Sequence, residues 1–255
     1  MSVPHLPRIE PEARSTEPPP VLLGIVTEPS LPAHLPAAVL WDMDGTLVDT
    51  EPYWMVAETE LIASFGGTWT HEDGLQVVGM GLWDAAVIFQ ARGVDMTADA
   101  IIEWMTDRVL EQVKVAVPWR PGARELLADL KRAEVPTALV TMSVHRMAAR
   151  IVDAIGFHAF DVIVGGDDVE LAKPHPAPYL HAAGLLGVDI LDCLAIEDSV
   201  PGLASAIASG AVTIGIPLHS PLDPGPNHTL WESLAGVTHA HVASHFAQIR
   251  TGASL

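Results

Sequence analysis

Positions 38–47 read AVLWDMDGTL, an apolar run that ends in two aspartates one residue apart and then a glycine. The apolar residues predict a short buried strand, and residues two apart on a strand point the same way. Asp42 and Asp44 would therefore repel each other unless the chain bends or a cation lies between them. Gly45 permits the bend, and a hard divalent ion such as Mg2+ supplies the charge. Because a carboxylate beside such an ion can attack phosphorus, the pattern predicts a catalytic loop.

Composition limits the class of protein. The chain has 255 residues, 49% of them apolar, which is enough to bury a full core. Its formal net charge of -19, with only 13 Lys and Arg residues, argues against nucleic acid or an anionic membrane as a partner. A phosphate ester would therefore need positive charge supplied locally, by a metal and one or two bases. The single cysteine, Cys193, excludes an intrachain disulfide and fits a reducing compartment.

The first 36 residues differ from the rest of the chain. Nine of the 21 prolines fall in residues 1–36, which disfavours helix and internal strand and predicts a proline-rich N-terminal tail. The apolar run at 21–26 is too short to span a bilayer and has no basic region just ahead of it. We expect a cytoplasmic protein that does not bind membranes, and a monomer or weak homodimer.

The remaining sequence alternates between two patterns. Apolar residues recur at helical spacing through 53–117, starting with Trp54, Ala57 and Leu61. After residue 118, short apolar runs alternate with helical segments, which predicts a parallel sheet covered by helices on both faces. The predicted strands are 38–41, 137–140, 161–164, 194–196 and 211–216. The predicted domains are a core of 37–52 and 118–255, and a helical insertion of 53–117.

Polar residues follow several of the predicted strands. In a parallel α/β sheet, ligands bind at the carboxyl edge, so these residues are expected to lie close together. The candidates at this edge are Asp42, Thr141, Ser143, Lys173, Glu197 and Asp198. The sequence therefore predicts one site that combines several carboxylates, two hydroxyls and one lysine.

Four segments in this order resemble the haloacid dehalogenase superfamily. They are DMDGT at 42–46, VTMS at 140–143, KPHP at 173–176 and IEDSVPG at 196–202. Each segment alone is a weak signal, but the four together are specific, and the resemblance covers roughly residues 37–216. It implies an α/β fold with a Rossmann-like parallel sheet and an inserted α-helical type 1 cap. The segment from Asp42 to Trp54 is most similar to hexitol and 2-deoxyglucose-6-phosphate phosphatases, in the branch that contains beta-phosphoglucomutase.

The resemblance also implies roles for the residues at the sheet edge. Asp42 would attack phosphorus to form an aspartyl phosphate, and Asp44 would protonate the leaving oxygen and later activate water. Mg2+ would be bound by Asp42, by the backbone carbonyl of Asp44 and by Asp198, with Glu197 as a further or water-mediated ligand. The phosphate-binding residues would be Thr141, Met142 and Lys173.

The insertion supplies the predicted substrate contacts. Trp54, Met80 and Trp83 are candidates to face the organic part of the substrate. Beta-phosphoglucomutases carry an arginine three residues after a cap glycine, where it binds a second phosphate. When that glycine is aligned with Gly79, the arginine position is occupied by Leu82. This departure favours hydrolysis over return of the phosphoryl group.

Together these patterns predict an Mg2+-dependent phosphatase that acts on a small phosphorylated metabolite, with a sugar or polyol phosphate favoured. One alternative is a hexose phosphate mutase, which would need a bisphosphate activator and would conserve phosphate rather than release it. Another is a non-catalytic protein that binds a metabolite with the same fold. The presence of both Asp42 and Asp44 argues against the binding protein, which needs neither a nucleophile nor an acid.

Overall fold

The computed structural model of the chain describes Met1 and residues 35–252. The predicted tail at 1–36 lies outside the described residues, except for Met1, Leu35 and Pro36. The chain divides into two units, Met1–Pro32 and Ala33–Leu255, and the fold below belongs to the second.

A six-stranded sheet of parallel strands forms the centre of this unit. The strands are β1 (Ala38–Trp41), β2 (Thr137–Val140), β3 (Val162–Val164), β4 (Cys193–Glu197), β5 (Val212–Gly215) and β6 (Thr229–Leu230). Their order is β3-β2-β1-β4-β5-β6, which confirms the predicted parallel α/β fold. The prediction that 211–216 is the last strand was wrong. β6 was not predicted, because it has only two residues and both are half-buried. So short a strand shows no periodic pattern in the sequence.

Helices connect the strands. They are α1 (Glu51–Ser64), α2 (His71–Leu75), α3 (Leu82–Ala91), α4 (Ala98–Val115), α5 (Ala123–Arg132), α6 (His145–Ile155), α7 (Ala177–Leu186), α8 (Val200–Ser209) and α9 (His239–Thr251). The first four all lie between β1 and β2. α2 was not predicted, because five residues that include Gly74 show no apolar periodicity. Within residues 35–252, no helix combines the length and the hydropathy that crossing a bilayer requires.

Helices cover both faces of the sheet, as the burial of β1 shows. Its residues alternate between faces, with Ala38 and Leu40 on one side and Val39 and Trp41 on the other, and all four are fully buried. Ala38 and Leu40 pack in a cluster with residues of α7 and α8. Val39 and Trp41 pack in a second cluster, which includes residues of α5, α6 and α9 and extends into α1, α3 and α4. A strand that is buried on both faces is apolar throughout, as the sequence of β1 is.

The chain leaves the sheet for α1–α4 and returns to it at one place. The backbone N–H of Asp49 donates to the carbonyl of Pro118 at 2.8 Å, and the N–H of Arg120 donates to the carbonyl of Leu47 at 3.0 Å. Val48 and Trp119 form an antiparallel bridge between these hydrogen bonds. The helical insertion is therefore joined to the sheet by two adjacent segments, directly beside the Asp42–Asp44 turn.

Candidate active site

The carboxyl ends of the three central strands bring the candidate residues together. β1 lies between β2 and β4, with Trp41 in register with both Leu139 and Ile196. Asp42 directly follows β1, and its N–H donates to the Ile196 carbonyl at 3.0 Å. Thr141 follows β2, while Glu197 and Asp198 are the last residue of β4 and its successor. The predicted convergence at one sheet edge is therefore observed.

Gly45 lets the loop after β1 turn back against β4. Its φ is +90°, in the left-handed region that favours glycine. A Cβ at this position would overlap the carboxylate of Asp198. The loop then closes on itself, because the N–H groups of Leu47 and Val48 both donate to the Met43 carbonyl. Glycine is required here both for the turn and for the close approach of Asp198.

Lys173 is the cation that binds Asp42 directly, and it is almost completely buried. Its Nζ donates to Asp42 Oδ1 at 2.8 Å, to Glu197 Oε1 at 2.6 Å and to the Val140 carbonyl at 2.9 Å. Burial lowers the pKa of the ammonium, but the carboxylates of Asp42 and Glu197 outweigh this effect and hold the pKa above its usual value. Lys173 therefore stays charged and fixes the orientation of Asp42.

Glu197 helps to hold Lys173 in position. Its Oε1 accepts a second hydrogen bond, from the Tyr179 hydroxyl at 2.7 Å, and its Oε2 accepts one from the Asp198 N–H at 3.2 Å. A Cβ on Gly202, in the first turn of α8, would overlap this carboxylate, so the glycine leaves room for it. With its oxygens engaged by neighbours, Glu197 serves mainly to position Lys173.

Three buried acids form a cluster that can bind a metal ion. One oxygen from each of Asp42, Glu197 and Asp198 lies within 4.8 Å of the others. Burial, and then the charge of Glu197, raise the pKa of Asp42 to about 7 against the opposing effect of Lys173. Burial, and then the charges of Asp42 and Glu197, raise the pKa of Asp198 well above its usual value against the opposing effects of Lys173 and Arg120. Asp42 Oδ2 is buried and has no hydrogen-bond partner among the described residues. A divalent cation would coordinate the unpaired Asp42 oxygen and would offset the negative charge of the cluster.

Asp44 lies among hydrogen-bond donors. Its Oδ2 accepts from the hydroxyls of Ser143 at 2.7 Å and Thr141 at 3.1 Å. Its Oδ1 accepts from the Thr50 hydroxyl and from the Trp54 indole N–H at 3.3 Å. The indole can only donate, so this contact requires an acceptor oxygen on Asp44. The carboxyl is thus held between the sheet and α1, close to Asp42.

A cavity of about 70 Å3 opens beside Asp44, between the sheet edge and the helical insertion. The insertion contributes residues of α1, α3 and α4 and of the loop before α3. The residues that line the cavity are Asp44, Glu51, Trp54, Glu58, Val77, Gly79, Met80, Leu82, Ala85, Phe89, Met105, Met142 and Ser143. The cavity is therefore enclosed by residues of the insertion, by Asp44 and by the loop after β2.

The cavity contains two carboxyl groups besides Asp44. Burial, followed by the charges of Glu58, Asp44 and Asp49, raises the pKa of Glu51 to about 8. Burial raises the pKa of Glu58 to about 7, although the hydrogen bond from Trp69 Nε1, at 2.9 Å, opposes the increase. Both shifts arise mainly because these groups are removed from water, and no cation among the described residues offsets the effect.

The predicted substrate residues do not all lie at this cavity. Trp54 and Met80 line it, and so does Met142, whose sulfur also accepts from the Lys173 backbone N–H at 3.2 Å. Trp83 lies outside it: the side chain is 39% exposed, and its Nε1 donates to Asp99 at 2.9 Å. Leu82, rather than Trp83, is the α3 residue at this end of the helix that faces the cavity.

Several residues of the site were not predicted as site residues. Thr50 donates to Asp44, Tyr179 donates to Glu197, and Glu58 lines the cavity. Ser143, which was predicted at this edge, also donates to Asp44. The sequence gives no sign that Tyr179 and Glu58 belong to the site, because each is a single polar residue within a helix.

Replacement of Glu58 by Gln tests its buried charge. The pKa of Glu58 is 4.5 in an unfolded chain and about 7 in the folded one, so its contribution to stability falls as the pH rises through this interval. Gln can still accept from Trp69 and has no charge to bury. We therefore expect the variant to be more stable than the wild type by about 2–3 kcal/mol at pH 8, and little different at pH 4.

The measurement is urea denaturation of both proteins without metal at the two pH values. Glu60→Gln is the matched control, because Glu60 lies on the same helix but its side chain is 54% exposed. A stability difference of equal size at pH 4 and pH 8 would contradict the assignment of a buried charge to Glu58.

Comparisons with known proteins agree with this geometry. The family model of the haloacid dehalogenase-like hydrolases matches residues 36–210. Hexitol phosphatase B of Escherichia coli is 31% identical over 192 residues, which cover 74% of this chain and 86% of that protein. Phosphoglycolate phosphatase 1 of Pseudomonas aeruginosa is 31% identical over 193 residues, covering 72% and 70% of the two chains.

A solved structure is similar over almost its whole length. It is CbbY from Rhodobacter sphaeroides in complex with xylulose-(1,5)bisphosphate, at 26% identity and a TM-score of 0.76. The match covers 82% of this chain and 99% of that one. The family model spans more than half of this chain, over the segments that form the site. The chain belongs to the haloacid dehalogenase-like hydrolase family.

Proposed function

We propose that this protein is an Mg2+-dependent phosphatase that hydrolyses a small phosphate monoester, with a sugar or polyol leaving group favoured. One observation carries the proposal. Asp42 is held by Lys173, has a second oxygen without a donor, and lies two residues from Asp44 at the edge of a cavity. A nucleophile, a general acid and a cation thus meet where a phosphate ester can bind.

In the first half-reaction, a carboxylate oxygen of Asp42 attacks phosphorus. A bond from this oxygen to phosphorus forms while the bond from phosphorus to the ester oxygen breaks, giving an aspartyl phosphate. Protonated Asp44 transfers its proton to the departing ester oxygen, which leaves as an alcohol. Lys173, Thr141 and the backbone N–H of Met142 bind the phosphoryl oxygens.

In the second half-reaction, Asp44 acts as a base. It takes a proton from a water molecule whose oxygen attacks the phosphorus of the aspartyl phosphate. The bond between Asp42 and phosphorus then breaks, so orthophosphate leaves and the Asp42 carboxylate is restored. Asp44 is protonated again and can serve in the next turnover.

The residues at the sheet edge fit Mg2+, which prefers oxygen ligands. The ion would be bound by the carboxylates of Asp42 and Asp198 and by the backbone carbonyl of Asp44. Glu197 would be a further or water-mediated ligand. The orphaned Asp42 Oδ2 and the surplus of buried negative charge support this assignment. When bound, the ion would supply positive charge to the phosphoryl group.

We further propose that residues 53–117 form a cap over the core of 37–52 and 118–255. Support comes from the cavity, most of whose lining residues belong to the insertion. Support also comes from the two adjacent segments at Asp49 and Pro118 through which the insertion joins the sheet. A cap over the sheet edge would exclude bulk water from the aspartyl phosphate.

The mutase alternative lacks support from the cavity. A mutase must bind a second phosphate while the first is transferred. None of the described residues that line the cavity is a lysine, arginine or histidine, and Leu82 is among them. The geometry therefore favours hydrolysis.

The test is phosphate release from a panel of sugar, polyol and short-acid phosphates in the presence of Mg2+. The proposal expects stoichiometric release of orthophosphate from at least one ester, with no requirement for a bisphosphate activator. Conversion of a hexose phosphate to its isomer without phosphate release would instead identify a mutase.

Removal of the metal is expected to stop the reaction. Protein treated with EDTA should release no phosphate, and added Mg2+ should restore the rate, because the buried acids otherwise repel the anionic substrate. Asp198→Asn should raise the Mg2+ concentration needed for half-maximal activity by about tenfold or more. Full activity in EDTA would rule out the metal requirement.

A further inference from the structure

One face of α1 presents carboxyl groups to the cavity beside Asp44. Glu51, Trp54 and Glu58 lie at positions i, i+3 and i+7, so they share one side of the helix, and all three line the cavity. Trp54 is engaged with Asp44 through its indole N–H. The two glutamates on either side of it have no part in the proposed chemistry.

Glu58 has unused capacity to accept hydrogen bonds. It is only 4% exposed, and its Oε2 accepts one hydrogen bond, from Trp69 Nε1 at 2.9 Å. An ionised carboxylate has about four acceptor positions, so one indole donor leaves most of them free. α2 lies close on one side, where a Cβ on Gly74 would be 3.2 Å from Oε2. The cavity is the side from which a ligand can supply donors.

Glu51 is surrounded by like charges. The charges that act on it are the carboxylates of Glu58, Asp44 and Asp49, and no cation among the described residues compensates them. The described lining of the cavity includes three acids and no basic residue. Above pH 8, where both glutamates are ionised, a ligand with a negative charge in this cavity would face repulsion from several sides in a medium that screens poorly.

We propose that Glu51 and Glu58 select the leaving group: it carries hydroxyl or ammonium donors and no negative charge. This inference rests on the proposed phosphatase function. It separates the substrates of this chain from carboxylated esters such as phosphoglycolate and from bisphosphates. Donors on the leaving group would satisfy the free oxygens of Glu58, whereas a carboxylate or second phosphate would leave them unpaired and add repulsion.

Three two-carbon esters of nearly equal size test the inference, because the cavity is small. They are 2-hydroxyethyl phosphate, phosphoethanolamine and phosphoglycolate, which end in a hydroxyl, an ammonium and a carboxylate. Each is used as a competitor of p-nitrophenyl phosphate at pH 9, where both glutamates are ionised, with Mg2+ present, and its inhibition constant is measured. We expect the hydroxyl and ammonium esters to bind at least about tenfold more tightly than phosphoglycolate.

Variants then assign the preference to the two glutamates. Glu51→Gln and Glu58→Gln keep the size of each side chain and remove its charge. Each should reduce the discrimination against phosphoglycolate, measured as the ratio of inhibition constants, several-fold. The double variant should reduce it further. Glu60→Gln, an exposed change on the same helix, should leave all three inhibition constants unchanged.

Several results would overturn the inference. These are tighter binding of phosphoglycolate, failure of all three esters to compete, or a preference that both glutamine variants leave intact. If neither p-nitrophenyl phosphate nor any ester of the panel is hydrolysed, the proposed function fails, and the three affinities are then measured by calorimetry. Discrimination against the carboxylate in calorimetry would support the inference without turnover, and equal affinities would refute it.

Discussion

Asp42→Asn is expected to reduce hydrolysis of p-nitrophenyl phosphate by about 10⁴-fold or more, the largest effect of any single change in this chain. The amide oxygen of asparagine is neutral and is a poor nucleophile towards phosphorus. The change also removes one of the two carboxylates that bind Lys173. Both effects act on the reacting group itself, so no other residue can compensate.

Asp153→Asn is the matched control, because its carboxyl is 72% exposed near the C-terminal end of α6, whereas the site residue Ser143 precedes the N-terminal end of that helix. It should retain wild-type activity. Mass spectrometry of acid-quenched protein with saturating substrate should detect one phosphoryl group on the peptide that contains Asp42. Substantial turnover by Asp42→Asn, together with no phosphorylated peptide in the wild type, would show that another group attacks phosphorus.

Lys173→Met is expected to impair both activity and stability. Methionine matches the length of lysine but has no charge, so a phosphoryl donor is lost and the rate should fall by about 10²–10³-fold. The change also leaves Asp42 and Glu197 buried with no cation between them. We expect a loss of about 3–5 kcal/mol of unfolding free energy at pH 8.

The pH dependence separates this charge effect from a packing effect. Without Lys173, which lowers it, the pKa of Asp42 rises further in the folded protein, so the stability of the variant falls as the pH rises. The deficit relative to the wild type should therefore be larger at pH 8 than at pH 5, in urea denaturation without metal. Lys131→Met, at a lysine 43% exposed, should show no such deficit. A deficit independent of pH would point to packing alone.

Much of the fold follows from local pattern. The predicted strands at 38–41 and 137–140 coincide with β1 and β2. Each is a short continuous apolar run, a signal that depends only on near neighbours in the chain. α2 and β6 show no local pattern, since one is a five-residue helix and the other a two-residue strand.

The position of the site also follows from pattern. Once the strands are parallel, their carboxyl ends share an edge, and residues such as Asp42, Thr141 and Asp198 must meet there. The loop that carries Lys173 follows β3 and reaches the same edge. Their convergence is a consequence of topology, which is why it could be predicted from strand ends alone.

The surroundings of these residues could not be predicted in this way. Tyr179 reaches Glu197 only because α7 packs across β1, β2 and β3 with that side of the helix inward. Glu58 faces the cavity only because α1 is rotated to place it there beside Trp54. The rotation of a helix depends on contacts with elements distant in sequence, and a single polar residue gives no sign of it.

The sequence by itself determined the α/β sheet, the edge where the site lies, and the identity of Asp42, Asp44, Lys173 and Asp198 as its candidates. These depend on strand and helix periodicity and on which residues end each strand. Only the tertiary structure decided which oxygens are satisfied, which one is left without a donor, and which side chains line the cavity. Those properties arise from the packing of α1–α4 against the sheet, because distances of a few ångströms between remote segments set hydrogen bonds and pKa values.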